Sequence, residues 1–451
     1  MGCIEALARG FRNGEFDPLQ IARHGLQCAS RPQAQAIFAQ LTPALACQQA
    51  GDARRRFKEG RPLGPLDGIP VTWKDVFDLV GTPTRCGSRL TSDAPALHDA
   101  ACVARLHAAG VVSLGKTNMS EFAFSGLGLN PHFGTAVQRA PGTGAKHIVG
   151  GSSSGAVAAV RLGIGSVALG TDTSGSIRVP AAFSGLVGFR PTSGRYPPAG
   201  VARLAPTMDT VGIIAATVAD VVCVDSVLHG FDEPADAPPT TQLQFTWVEN
   251  LCGDQVQSEV RANGLRLMKK LSDAGLHCDR QSVQLFDAVR RAFDRHGTLV
   301  AAEAAYELAP YAVASMKPRM DPFVWHRLVA ARRMPAYQLV ALLQIRKRLM
   351  IELSQFPPHT VYVFPTTPAT APALAQLRTL AQISVANSSA LSHTMIGSFL
   401  DMPGITMPSG SDSAGMPTGI LLSCRSGADK MLLSAAWSLE AMGLTAGGYI
   451  G

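Results

Sequence analysis

Charged side chains are scarce in this sequence: 16% of its 451 residues are Asp, Glu, Lys or Arg, and only nine of its 40 basic residues are lysines. With 46% hydrophobic residues alongside, so little charge excludes a disordered, self-repelling chain. Long apolar runs are missing too. The most apolar window, Val211 to Leu228, is broken by Asp220 and Asp225, which excludes a membrane span there. The nine cysteines are odd in number, scattered, and form no C-x-x-C pair, so neither a disulfide framework nor a structural zinc site is expected. Thiols used as small hydrophobes point to a reducing compartment. The first residues, MGCIEALARGF, lack a basic region followed by an apolar run, and Ala6 stands where an acylation motif needs Ser or Thr. The expected location is the cytoplasm. The net charge of +7 is spread thinly, and its densest cluster, Arg54, Arg55, Arg56 and Lys58, reads as a solvated helix face, so no directly bound nucleic acid is expected. No internal repeat or low-complexity tract is present.

The 44 glycines and 30 prolines instead describe a compact, loop-rich, enzyme-like body. Residues 1–60 read as a helical lead-in, with Ile4, Leu7, Ala8 and Phe11 at helical spacing and a second periodic stretch from Ala34 to Phe57. From residue 61 the pattern alternates between strands and helices: a β-rich run Ile69 to Leu79, a helix Asp99 to Ala109, a buried strand Val111 to Leu114, and an apolar, helix-like segment ending at His229. Phe231 to Thr241 is the clearest linker. The region 235–345 reads as a variable helical insertion, the helical pattern running on to about 358, and 346–451, with the strand-like VYVFP after His359, as the part that completes a core started in 61–234.

Two motifs suggest chemistry and fail on context. Gly110 to Thr117 fits the phosphate-loop pattern G-x-x-x-x-G-K-T, but VVSL is itself the strand and a helix precedes Gly110, so a helix end feeding a core strand is expected instead. Gly151 to Gly155 fits the nucleophile elbow G-x-S-x-G with Ser153 at its centre, but a polar, glycine-rich loop precedes it where an elbow needs an apolar strand.

The stretch Gly170-Thr-Asp-Thr-Ser-Gly175-Ser176 is better built. It leaves a strand-like SVAL and enters IRVPAAF, a helix start with Pro180 in its first turn, so backbone N–H groups converge near Ser176 and could hold an oxyanion. A glycine-rich turn with a serine cap is the competing reading. A serine nucleophile needs a base, and no histidine lies in either motif. Lys74 lies inside the apolar run with Val71, Trp73, Val76 and Phe77, where desolvation would favour the neutral amine. An ion pair of Lys74 with Asp75 or Asp78 remains the alternative.

These pieces together resemble the amidase signature family. The glycine/serine core runs from Gly150 to Arg195, and GIPVTWKDVFDLVGTPTRCGS, GKTNMSEFAFSGLGLNPHFGT, FPTTPATAP, LDMPGITMPSG and GMPTGILL carry the resemblance across nearly the whole chain except 242–340. The resemblance implies a single large α/β/α unit with a mixed central sheet. It also implies a Ser-cisSer-Lys triad made of Ser176 as nucleophile, Ser152 as bridging serine after a cis peptide bond, and Lys74 as base, the serines standing 24 positions apart. Ser153 would be a hydrogen-bonding neighbour, and Thr173, Ser174, Gly175 and Ser176 the oxyanion loop. The chain departs from the family pattern at Val149, Ala156, Ser174 and Arg190, where Pro, Ser, Gly and Lys are usual. The implied activity is hydrolysis of a small-molecule carboxylic amide through an acyl-enzyme, with no metal or organic cofactor and room for a homodimer. The alternative is the amidase subunit of a glutamyl- or aspartyl-tRNA amidotransferase.

Overall fold

A computed structural model describes residues 2–230 and 237–445. Its strands are β1 (Phe38–Leu41), β2 (Pro70–Lys74), β3 (Val112–Thr117), β4 (Val137–Arg139), β5 (Lys146–Ile148), β6 (Val167–Asp172), β7 (Val187–Arg190), β8 (Thr210–Ala215), β9 (Gln244–Val248), β10 (His277–Gln281), β11 (Thr360–Pro365), β12 (Gly404–Ser411) and β13 (Pro417–Ser423). Eleven of them form one mixed sheet in the order β1-β3-β2-β6-β8-β7-β12-β13-β11-β9-β10, and β4 and β5 pair separately as a ribbon. Strands β3, β2 and β6 run parallel, whereas β8, β7, β12 and β13 continue antiparallel.

The central strands β2, β3, β6, β7 and β8 are buried at every position because helices cover both faces. Alternation along each strand sorts the side chains: Val167 and Leu169 of β6 join one apolar cluster with Trp73, Ile213 and the first helix, Ile4–Asn13, while Ala168 joins a second with Ile214 and the helix Ser154–Arg161. This is the expected α/β/α arrangement. The strand β2 forms because Val71, Thr72 and Trp73 suit a pleated, fully buried surface. Gly110 ends the helix Ala101–Ala108 with φ +87°, and a β-carbon there would collide with the Asp67 carboxylate, so the turn into β3 accepts no larger residue. The residues 110–117 are therefore a helix end and a core strand.

Two expectations need correction. The lead-in 1–60 is not wholly helical: between the helices Pro18–Ala29 and Pro43–Lys58 it contributes β1 to the sheet edge, antiparallel to β3. The region 235–345 is not simply a helical insertion either. Its β9 and β10 extend the main sheet parallel to β11, and the helices from Ser258 onward pack around that extension. Within 346–451, β11, β12 and β13 join this extension to β7, so the C-terminal part lies inside the sheet. Likewise, the apolar segment ending at His229 divides into β8 and the helix Val218–His229. Of the linker Phe231 to Thr241, residues 231–236 lie outside the described residues; Thr240 begins a short 3-10 turn. Among the described residues no helix is long and apolar enough to cross a membrane. All nine cysteines are unpaired.

Candidate active site

Lys74 ends β2 and is fully buried. Its Nζ lies 2.7 Å from Ser152 Oγ, 2.8 Å from Thr171 Oγ1 and 3.4 Å from the Thr171 carbonyl. Burial pushes the Lys74 ammonium down to about 7, although Asp209 and Asp172 oppose it. The acids beside it in sequence are engaged elsewhere. Asp75 pairs with buried Lys116 at 3.0 Å, and Asp78 accepts from Thr84 at 2.7 Å. The chain therefore places Lys74 among hydroxyls and not in an ion pair with Asp75 or Asp78.

Ser152 and Ser153 lead into the helix Ser154–Arg161, which Ala156, Ala158 and Ala159 favour and which is buried nearly throughout. The Gly151–Ser152 peptide bond is cis. Ser153 N–H donates to the Ser176 carbonyl at 3.3 Å, joining the two serine segments, and its hydroxyl points at the Thr171 carbonyl 3.5 Å away. Ser153 is completely buried, and the strand before it is the three-residue β5 of the separate ribbon. A nucleophile elbow presents its serine at a tight turn off a main-sheet strand, so Ser153 does not have that geometry.

Ser176 lies between β6 and the helix Arg178–Ser184, 5% exposed. Asp172, at the end of β6, shapes this loop. Its carboxylate accepts from the N–H groups of Gly175 (2.7 Å), Ile177 (3.2 Å) and Arg178 (3.3 Å), and from the Arg178 guanidinium at 2.9 and 3.0 Å. Burial alone would raise the Asp172 carboxyl, but the Arg178 charge and its hydrogen bonds prevail and hold it below the usual carboxylate range. Thr173 Oγ1 donates to Asp209 at 2.5 Å, and Thr394 Oγ1 to the Ser174 carbonyl at 2.6 Å. Gly175 has φ +139°, and a β-carbon there would collide with Thr394. The four expected loop donors thus divide: Gly175 N–H is taken by Asp172, whereas those of Thr173, Ser174 and Ser176 have no protein acceptor among the described residues. The Ser174 departure adds a side chain and removes no N–H. Arg190, the departure from lysine, spreads its donors over the carbonyls of Pro191, Met402 and Met208 at 2.9–3.2 Å, a fork that a lysine ammonium cannot reproduce.

A narrow cavity adjoins Thr171, walled by Val76, Cys86, Phe122, Ala123 and Leu204. Cys86, Phe122 and Ala123 have φ of 54°, 51° and 58°, a left-handed backbone that non-glycine residues adopt mainly where surrounding structure enforces it. Tyr311, from the variable region, stacks on Phe122 with ring centroids 4.8 Å apart. Neither Lys74 nor either serine hydrogen-bonds to a histidine among the described residues. His147 faces the Ala371 carbonyl, and His132 faces Glu121. Among the described residues no group of three or more His, Cys, Asp or Glu could hold a metal ion. The basic cluster is tied to acids, Arg54 to Asp17, Arg55 to Asp52 and Arg56 to Asp67.

Sequence reasoning missed Asp172, Arg178, Thr171 and Thr394. Asp172 and Arg178 stand inside the quoted GTDTSGSIR, and an acid and a base of that kind flanking a serine loop were the available signal. Thr394 carries none.

Behind the cavity, Glu121 is fully buried, accepting from Ser88 Oγ and from Asp321 N–H, each at 2.6 Å, with His132 Nε2 3.1 Å from Oε1. Burial pushes its carboxyl from 4.5 up to about 7, so the folded protein holds a proton there that the unfolded chain releases earlier. The resulting stability is fully present below about 4.5, declines as pH rises toward 7, and is gone above it. Glu121→Gln, which keeps a donor for His132, is expected to flatten the fall in melting temperature between those pH values; an unchanged slope would place the proton elsewhere.

The chain belongs to the amidase family, whose profile matches residues 27–433. It is an amidohydrolase by class, acting on carbon–nitrogen bonds. It is 33% identical over 399 residues to 2-amino-5-chloromuconic acid deaminase of Comamonas testosteroni, covering 85% of this chain and 83% of that protein. It is also 31% identical over 454 residues to the indoleacetamide hydrolase of Pseudomonas savastanoi, covering 97% and 96%. A solved crystal structure of an amidase superposes with a TM-score of 0.87 at 29% identity, covering 98% of this chain and 100% of that one.

Proposed function

We propose that the protein hydrolyses a small carboxylic amide through an acyl-enzyme on Ser176, with Ser152 and Lys74 relaying the proton. The observation that carries this reading is Lys74 Nζ, 2.7 Å from Ser152 Oγ at a wholly buried position where the amine is pushed down to about 7. Ser176 Oγ attacks the carbonyl carbon and gives its proton to Ser152, whose own proton passes to neutral Lys74. The N–H groups of Thr173, Ser174 and Ser176 stabilise the oxyanion. The tetrahedral intermediate collapses, breaking the C–N bond, as the relay runs backwards to protonate the departing nitrogen. Water then enters by the same relay and releases the acid.

An amidotransferase subunit would deliver ammonia to partner proteins. The near full-length match to a hydrolase supports independent action. Purified protein offered aliphatic, aryl and amino-acid amides is expected to release ammonia or amine without ATP, tRNA or added subunits. Release that appears only with partner subunits present would replace this reading with the amidotransferase one.

A further inference from the structure

We propose that Thr394 and Ser398 are positioning residues for the loop that stabilises the oxyanion, acting through a closed ring of buried hydrogen bonds and not through contact with substrate. This rests on the hydrolytic reading above and adds two residues on which that reaction depends. Both stand on the helix Thr394–Phe399, one turn apart. Thr394 Oγ1 donates to the Ser174 carbonyl at 2.6 Å, and Ser398 Oγ donates to the Thr394 carbonyl at 3.1 Å. Ser398 Oγ in turn accepts from Arg178 Nη2 at 2.7 Å, the same nitrogen donates to Asp172 Oδ1 at 2.9 Å, and that oxygen accepts from Gly175 N–H at 2.7 Å. Ser174 and Gly175 share a peptide bond, so the ring closes. Its four side chains are at most 1% exposed, which leaves no water to replace a missing member.

The ring acts on one peptide plane. The six atoms from Ser174 Cα to Gly175 Cα are coplanar, with the carbonyl and the N–H on opposite edges. Thr394 holds one edge and Asp172 the other, so the plane cannot rotate and both flanking Cα atoms are located. The unclaimed Ser174 N–H leaves from the first of these. In the next peptide the Gly175 carbonyl accepts from Val179 N–H at 2.8 Å, so the unclaimed Ser176 N–H lies on the opposite edge. Two donors of the loop are therefore aimed before any substrate arrives. Thr394 Oγ1 also lies 3.3 Å from the Leu391 carbonyl, but its single hydrogen serves the shorter contact. Asp172 and Arg178 belong to the loop segment itself, whereas Thr394 and Ser398 come from more than 200 positions away and tie it to the body of the protein.

The test removes hydroxyls with little change of shape. Thr394→Val keeps the branched side chain and loses the donor, and it is expected to lower kcat by a factor on the order of 10² with KM nearly unchanged, the scale on which misplaced reacting groups are penalised. Thr394→Ser, which keeps the donor, should retain most of the activity. Ser398→Ala should show the same signature with a smaller loss, about tenfold, because the Thr394 hydroxyl remains. An unchanged kcat in Thr394→Val, a loss that appears in KM instead, or an equal loss in Thr394→Ser overturns the proposal. Labelling of Ser176 by a fluorophosphonate separates this inference from the reading beneath it, since Ser176 Oγ bonds to phosphorus as fluoride leaves and the loop N–H groups face the phosphoryl oxygen. If the wild type hydrolyses no amide but is labelled on Ser176, and Thr394→Val slows labelling by a factor on the order of 10² while Thr394→Ser does not, positioning stands and hydrolysis falls. Equal labelling rates in the wild type and Thr394→Val, or no label on wild-type Ser176, remove the positioning role whatever the turnover. Should Thr394→Val fail to fold, Ser398→Ala decides on the same measurements, and an unchanged kcat and labelling rate there overturn the proposal.

Discussion

Ser176→Ala is expected to lower amide turnover by a factor on the order of 10⁴ or more, the scale on which acylating serines are lost. The loop around Ser176 is held by Asp172, Thr394 and the Ser153 N–H through backbone and other side chains, none of which the substitution touches. Circular dichroism and the melting temperature should therefore stay close to those of the wild type, separating lost chemistry from lost folding. A serine-directed covalent reagent should leave its adduct on the peptide containing Ser176 and none on Ser176→Ala protein. An adduct on Ser153 would show that the buried hydroxyl is reached after all, and the assignment of the nucleophile would have to change.

The second large effect concerns Lys74. The relay needs a neutral amine, so kcat/KM should rise with pH through about 7 and then level off as Lys74 deprotonates. The sign is set by burial, which disfavours the ammonium more than Asp209 and Asp172 favour it. Lys74→Ala removes the acceptor, and Lys74→Arg replaces it with a guanidinium that stays protonated, so each should reduce turnover by a factor on the order of 10² or more. Lys74→Met fills the same buried space without charge or base. It should fold and melt at least as high as the wild type while sharing the loss of activity. Near-normal turnover by Lys74→Arg would mean that the proton leaves Ser152 by another route.

How far these features could be read in the sequence varies with their physical cause. Lys74 was visible because a lysine inside an apolar run has to be desolvated wherever that run folds. The loop at Ser176 was visible because glycine and small residues between a strand and a helix leave amides free. The strand β10, His277–Gln281, was not legible: it lies at the sheet edge, is polar and half-exposed, and so lacks the apolar alternation that marks a strand. The strand β9 is mostly buried and carries Phe245, Trp247 and Val248, but its five residues sit in a helical, arginine-rich setting, where a run that short fits either element. The left-handed backbones of Phe122 and Ala123 were equally hidden, since nothing in an aromatic or an alanine announces a positive φ that only the surrounding structure imposes. Thr394 meets the Ser176 loop only through a contact spanning 220 positions, which no local pattern encodes.

That span bears on when the protein can become active during its synthesis. Lys74, Ser152 and Ser176 have all left the ribosome before the chain is half made, and Asp172 and Arg178 with them. Yet Arg178 is completed by Ser398, the Ser174 carbonyl by Thr394, and Arg190 by the Met402 carbonyl. At roughly 5–20 residues per second, a nascent chain carries every reactive group for some ten seconds or more before the residues that fix the loop are made. The two serines and the lysine are made early and the residues that fix their loop late, so under the proposed mechanism amide cleavage is expected to begin only when synthesis is nearly finished, and a product ending before Thr394 is expected to lack turnover although it keeps Lys74, Ser152 and Ser176.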